Sequence, residues 1–200
     1  MMSIDFNNIE PNSGSSGEFE LIPENTIARV NLQLEGGDME LPEFGRGNFF
    51  KKSQGGGRAK WMPVVFTIAS GDYNGRKIWH RIFVDGDKMS ERNVPVAKEI
   101  GLRTMRSIIE SARNINPDDT TPNAQQARQL NSIEDLNNMQ LCIKIGIEKG
   151  TNGYADRNRL IAPITPNQTG YIGGNNPTPP VTQAQPQQNQ VENNVPDWAK

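Results

Sequence analysis

The sequence predicts a mainly β domain: five short strands forming a small barrel, one amphipathic helix between strands three and four, and a disordered C-terminal tail. Three observations predict this. Apolar residues alternate with period two in several short runs. Residues 94–113 switch to the helical period. From Thr165 onward the chain is mostly Pro, Gln, Asn, Gly and Thr, too poor in apolar groups to offset the entropy lost on ordering.

The elements follow in chain order. Residues 1–18 are polar and end in Ser13-Gly14-Ser15-Ser16-Gly17, which reads as a flexible segment. Residues 19–165 form the predicted domain. Its first strand spans 26–34, with Ala28, Val30, Leu32 and Leu34 on one face. Residues 45–60, GRGNFFKKSQGGGRAK, read as a long mobile loop because three glycines stand in a row at 55–57. The second strand, Trp61 to Ser70, puts Met62, Val64, Phe66 and Ile68 on one face. GDYNG at 71–75 is a tight-turn signal, so Arg76 to Val84 pairs back as the third strand of a hairpin.

The helix carries Ala97, Gly101, Met105, Ile108 and Ala112 on one stripe, broadened by Ile100 and Ile109. Pro95 suits its first turn, and Arg103, Arg106 and Arg113 lie on or beside its polar side. Residues 114–132 read as a loop, since Pro117 and Pro122 forbid a long helix, and Ile133 to Asn138 as a short helical turn. Leu141, Ile143, Ile145 and Ile147 alternate strictly as the fourth strand. After a Gly-containing loop, Arg157 to Ile164 forms the fifth. Three strands, a helix and two strands is the order of the OB-fold, a partly open barrel whose second and third strands commonly bind oligonucleotides.

Composition narrows the chemistry. One cysteine, Cys142, allows no intramolecular disulfide, and it reads as a small strand residue in a reducing compartment. One histidine, His80, and one cysteine cannot supply a structural zinc site. No tight acidic cluster suggests magnesium, no serine or cysteine partner for His80 suggests a triad, and the P-loop spacing is absent. The expectation is a non-enzymatic protein with no catalytic residues, metal or cofactor. Met1 to Glu10 lacks a secretory pattern, and no run approaches the ~18 apolar residues of a membrane span, so a cytoplasmic protein with no membrane partner is expected.

Charge is segregated along the chain. Residues 1–44 hold nine acids and one base, Arg29, whereas residues 45–113 hold fourteen bases and six acids, a net of +8 within a chain of net −2. A basic middle of this size is the footprint a polyanion uses. It also suits an acidic partner protein, or neutralisation by the chain's own acidic N-terminal third.

The third strand carries the case for a polynucleotide. By period two, Lys77, Trp79, Arg81 and Phe83 share one face, and Ile78, Ile82 and Val84 share the other with His80. Rings stack on exposed bases, at ~1–3 kcal/mol each, while cations track phosphates. A duplex hides its base faces, so the pattern favours single strands. Against it stands the ordinary reading of Trp79 and Phe83 as core, weakened because three aliphatic residues already supply a core face. Arg46, Phe49, Phe50, Lys51, Lys52, Arg58 and Lys60 in the 45–60 loop, Lys144 on the fourth strand, and Arg157 and Arg159 on the fifth complete the candidate set.

Four stretches carry a family resemblance: FELIPENTIARVNL at 19–32, FTIASGDYNGRKIWHRIFV at 66–84, EIGLRTMRSIIESA at 99–112 and LCIKIGIEKGTNGYADRNRLI at 141–161. Over residues 19–164 the chain resembles a phage-encoded family of single-stranded DNA-binding OB-fold proteins that serve replication and recombination. The resemblance implies a sheet-and-loop DNA groove and the cytoplasm of a host cell. Monomer and homo-oligomer both remain open.

Bacterial single-stranded DNA-binding proteins end in a tail whose tip docks on replication or recombination enzymes. Val195, Pro196, Asp197 and Trp198 resemble such a tip loosely: the acidic run is missing, and Lys200 stands where the pattern ends apolar. Tryptophan is a favoured anchor for a partner's pocket. Deleting residues 190–200 is expected to preserve single-strand binding and to abolish recovery of such an enzyme in a pull-down. Recovery by the shortened chain would reduce the tip to a spacer.

Overall fold

The structure, a computed structural model, describes residues 20–151 and 153–173. The N-terminal segment 1–18 and the tip at Val195, Pro196, Asp197 and Trp198 lie outside these residues. The strands are β1 (Ile27–Leu34), β2 (Lys51–Lys52), β3 (Lys60–Ile68), β4 (Lys77–Asp85), β5 (Gln140–Glu148) and β6 (Arg157–Ile164). The helices are α1 (Val96–Arg113) and α2 (Pro122–Ala127), with 3-10 turns at Pro42–Phe44 and Ile133–Leu136.

All strands belong to one antiparallel sheet. β3 pairs with β4 along one edge and with β1 and β2 along the other; β1 continues to β5, and β5 to β6. β4 and β6 end the sheet and come near each other, but no ladder joins them among the described residues, so the sheet is open. The sequence predicts five strands and the structure has six, because Lys51 and Lys52 pair with Trp61 and Lys60.

That extra strand corrects the reading of the 45–60 loop as unpacked. Phe50 is 1% exposed, in the core, and its backbone bridges Met39. Phe49 packs half-buried against the same core. Two adjacent rings in a polar loop gain more from burial, about 1.5–3 kcal/mol for a side chain of this size, than the glycines at 55–57 gain in freedom. The loop is therefore drawn back onto β3 just before its glycine turn.

The alternating runs fold as their period demands. Val30 and Leu32 of β1, Met62, Val64, Phe66 and Ile68 of β3, and Leu141, Ile143 and Ile145 of β5 are all at most 1% exposed. α1 closes this core, packing on β4, β5 and β6. Its stripe buries Met105, Ile108, Ile109 and Ala112, while Ile100 stays outside at 57% exposure. Pro95 sits just ahead of the helix, and Asn114 ends it in the left-handed conformation with its N–H on the Glu110 carbonyl.

The segment 114–132 is more ordered than its prolines suggest. Pro122 opens α2, where a missing N–H costs no helical bond, and Thr121 Oγ1 accepts from the Ala124 N–H at 3.3 Å. Arginines stitch the segment to α1. Arg128 donates to the Asn116 and Asp119 carbonyls, and Arg113 to those of Ala127 and Gln129. The Glu110 carboxylate, 3% exposed, accepts from Arg106 at 2.8 Å and Arg128 at 2.7 Å. No apolar period records such a network, so the sequence shows only a loop.

Past β6 the chain remains on the domain beyond the boundary that the sequence places at 165. The Tyr171 hydroxyl donates to the Ser111 carbonyl at 2.8 Å, and Arg29 donates to the Ile172 carbonyl. None of the helices among the described residues is long and apolar enough to cross a membrane.

α1 lies tight against β4 at Gly101, where an added Cβ would lie 1.8 Å from the Phe83 carbonyl oxygen. Backbone occupies that space on both sides, so no rotamer change relieves the clash. Gly101→Ala is expected to destabilise the domain by at least the ~1–3 kcal/mol of ordinary overpacking, measured by denaturant unfolding. An unchanged midpoint would contradict the contact.

Candidate nucleic-acid interface

The β3–β4 register builds the site. Opposed residues share a face, so the outward rows are Thr67 with Lys77, Val65 with Trp79, Pro63 with Arg81, and Trp61 with Phe83. Ile78, Ile82 and Val84 turn inward at no more than 3% exposure, leaving Trp79 at 62% and Phe83 at 38% in solvent. The core reading of these two rings is thereby overturned. Trp61 and Phe83 lie 5.9 Å apart at 53°. The Arg81 guanidinium stands 5.3 Å from the Trp61 ring centre, within cation–π range. Val65, on this same outer face, is only 5% exposed.

Pro63 is unusual in a strand paired on both edges. Its carbonyl accepts from the Glu35 N–H, on the side facing β1 and β2. A strand residue's N–H points the same way as its carbonyl, so the missing donor falls in the gap between β2 and the end of β1. The ladder to β4 loses nothing.

A cleft of about 540 Å³ covers this face. β3 and β4 provide Trp61, Pro63, Trp79, Arg81 and Phe83, β6 provides Arg157 and Arg159, and β2 provides Lys51. Two carboxylates line it as well, Glu35 and Glu148. Arg157 donates to Glu148 at 2.7 Å, and that bond, helped by the charges of Arg157 and Arg159, holds the Glu148 carboxyl below its ordinary range.

The structure thus brings together Trp79, Arg81, Phe83, Lys51, Arg157 and Arg159 of the residues expected from sequence. Lys77 shares the face but lines a separate cleft with Asn31, Gln33 and Thr67. Lys52, Arg46 and Arg58 are exposed outside the main cleft, and Lys144 is half-buried on β5. Phe50 is sealed in the core and cannot stack on a base; Phe49 leans on that core. Lys60 is committed to Asp85 at 3.0 Å, with Arg58 at 3.8 Å. Burial pushes the Asp85 carboxyl up, but hydrogen bonds from Lys60 and the Gly86 N–H, with both nearby cations, outweigh it and hold the carboxyl low.

Trp61 and Pro63 are absent from the sequence-derived set, although the β3 alternation contains the signal: if Met62 and Val64 turn inward, their neighbours turn outward. Tyr154, 80% exposed in the β5–β6 loop, is also absent from it. It lines a smaller cleft that shares Glu148 and Arg157 with the main one. Only the fold brings that loop to the groove.

Among the described residues no group of three His, Cys, Asp or Glu side chains is placed to hold a metal ion. No family model matches the sequence, and no curated protein matches it.

His80 sits half-buried on the inner side of β4, at the unpaired edge facing β6. Burial first, and the Arg159 charge second, lower its pKa, with Glu148 pulling the other way. The fold therefore favours neutral imidazole. The stability tied to this group is complete above the unfolded value of about 6.5 and is lost as the pH falls through the lower folded value. The stability difference between wild type and His80→Asn is expected to shrink as the pH drops below about 6.5. Because the chain has a single histidine, one imidazole NMR titration checks the direction. A folded pKa at or above the ordinary value would contradict it.

Proposed function

We propose that this protein is a non-enzymatic single-stranded DNA-binding protein with an OB-type fold, acting in DNA replication, recombination or repair. One observation carries the reading. Trp79 and Phe83 stand in solvent on a strand whose opposite face is a sealed core, with Arg81 between them and Lys77 ahead of Trp79. Rings gathered on one face and rimmed by cations mark an interaction surface, and a base is a flat apolar partner that arrives tied to a phosphate.

Strand order supports the fold assignment. With β2 set aside as a loop strand, the first strand pairs with the second and fourth, the second with the third, and the fourth with the fifth. The main helix lies between the third and fourth. That connectivity supports an OB-type reading, in which the cleft would lie over the second and third strands, the usual ligand face. The resemblance of residues 19–164 to phage-encoded single-stranded DNA-binding proteins points the same way.

Bases stack on Trp79, Phe83 and the Trp61 ring that Arg81 overlies. Lys77, Arg81, Lys51 and Arg159 meet phosphates, while Arg157 is held by Glu148. Stacking is indifferent to base identity, so sequence preference is weak. Glu35 and Glu148 oppose close phosphate approach over part of the cleft, which favours bases, not backbone, beside them.

Titration against labelled single strands, duplex and RNA tests the reading. Single-stranded DNA is expected to bind more tightly than duplex, with affinity falling steeply as salt displaces the phosphate contacts. Equal affinity for duplex at moderate salt would sink it; capture of an acidic protein with no DNA binding would favour a protein–protein module. Trp79→Ala is expected to weaken single-strand binding by about 1–3 kcal/mol without moving the unfolding midpoint. Lys51 and Lys52 changed together to Ala are expected chiefly to reduce the salt slope.

A further inference from the structure

A second cleft of about 650 Å³ lies between α1 and β6. It shares His80, Arg159 and Leu160 with the first, so the two meet where β4 and β6 face each other without a ladder. α1 contributes Arg103, Thr104 and Ser107, and the chain past β6 contributes Asn167 and Gln168.

The charge of this cleft is set by which cations are already occupied. Its one lining carboxylate, Glu110, is held by Arg106 at 2.8 Å and Arg128 at 2.7 Å. Among the described residues the carboxylate nearest Arg103 is that of Glu99 at 4.0 Å, and Arg92 already holds Glu99 at 3.0 Å. The Arg103 side chain is 72% exposed. Arg103 and Arg159 therefore leave the cleft positive. Its walls also carry exposed apolar surface, Ile100 at 57% and Ile161 at 38%. Cation beside apolar surface is the same pairing that the first cleft offers, with aliphatic groups in place of rings.

We propose that the bound single strand continues from the first cleft, past Arg159, into this second one, so that α1 is part of the nucleic-acid path. The inference rests on the single-strand reading above. Arg159 borders both clefts and serves as the shared phosphate contact at the turn. Arg103 meets a phosphate beyond it, and the hydroxyl and amide groups of Thr104, Ser107, Asn167 and Gln168 supply uncharged hydrogen-bond partners. The consequence is a dependence on strand length: a short oligomer fills the β3–β4 cleft alone, and only a longer one reaches α1.

The test compares oligothymidylates of about 4 and about 16 nucleotides, the span that one OB-type module covers, titrated into the full chain. Arg103→Ala is expected to weaken the long oligomer several-fold, to lower its salt slope by about 1, and to leave the short one unchanged. Arg103→Lys is expected to restore most of the loss. Lys88→Ala, an equal change of charge outside both clefts, is expected to affect neither oligomer. Trp79→Ala is expected to weaken both. An Arg103→Ala variant that binds the long oligomer like wild type, or weakens both lengths equally, overturns the path while leaving single-strand binding intact. A wild-type chain that binds neither oligomer overturns the single-strand reading, and the path with it.

Discussion

The pairing of β3 with β4 is the constraint on which the rest depends. In a pleated hairpin each residue faces one side only, and opposed residues face the same side. The register that sets Met62 against Ile82 and Phe66 against Ile78 in the core also sets Trp61 against Phe83 and Pro63 against Arg81 outside. A slip of one residue would expose the aliphatic row and bury two cations. The burial that stabilises the domain and the exposure that makes the cleft are two faces of one register. α1 reinforces it from below, because the missing side chain at Gly101 lets helix backbone lie directly on the Phe83 carbonyl. The strand bearing the exposed rings is thus held by ladder bonds to β3 on one edge and by helix backbone near its end.

Carboxylates decide which cations are available. Asp85 ties Lys60, with Arg58 nearby, to the end of β4. Glu110 gathers Arg106 and Arg128 and with them orders the segment up to α2. Glu148 holds Arg157 at the wall of the cleft. The fourteen bases of residues 45–113 are therefore not one uniform field. Some are consumed in holding loops together, and loss of both Arg106 and Arg128 would leave the nearly buried Glu110 carboxylate as a costly unpaired charge. Arg81, Lys77, Lys51 and Arg103 are set where a mobile polyanion can reach them. Net charge signals a basic surface but not which parts of it are spoken for.

The edge between β4 and β6 gives the molecule its second character. A sheet that closed there would seal His80 inside a continuous ladder. Left open, the edge places a half-buried imidazole and Arg159 where two clefts meet. Buried polar groups are tolerated where water or a ligand can reach them, and this edge satisfies that condition without disturbing the core beneath.

The sequence by itself determined the elements that depend on local period. The four longest alternating runs, the turn at 71–75, the α1 stripe and the two faces of β4 all follow from spacing, because a pleat and a helix impose periods of two and 3.6 on any chain that buries one side. The division of β4 into a ring-and-cation face and an aliphatic face is legible for that reason, as is the matching side of Trp61 on β3, whereas which face meets solvent is decided by the packing of the sheet. What only the tertiary structure decided depends on contacts between distant segments. Phe50 lies in the core because the Met39 bridge and the pairing of β2 with β3 carry it there. Residues 114–132 became ordered because Glu110 and two arginines converge there. Arg157 and Arg159 join the rings because β6 lies near the hairpin in space while far from it in sequence, and Lys51 joins them because β2 pairs with β3 opposite Trp61. No local pattern encodes such convergence; it arises when the sheet curves and brings its two ends face to face.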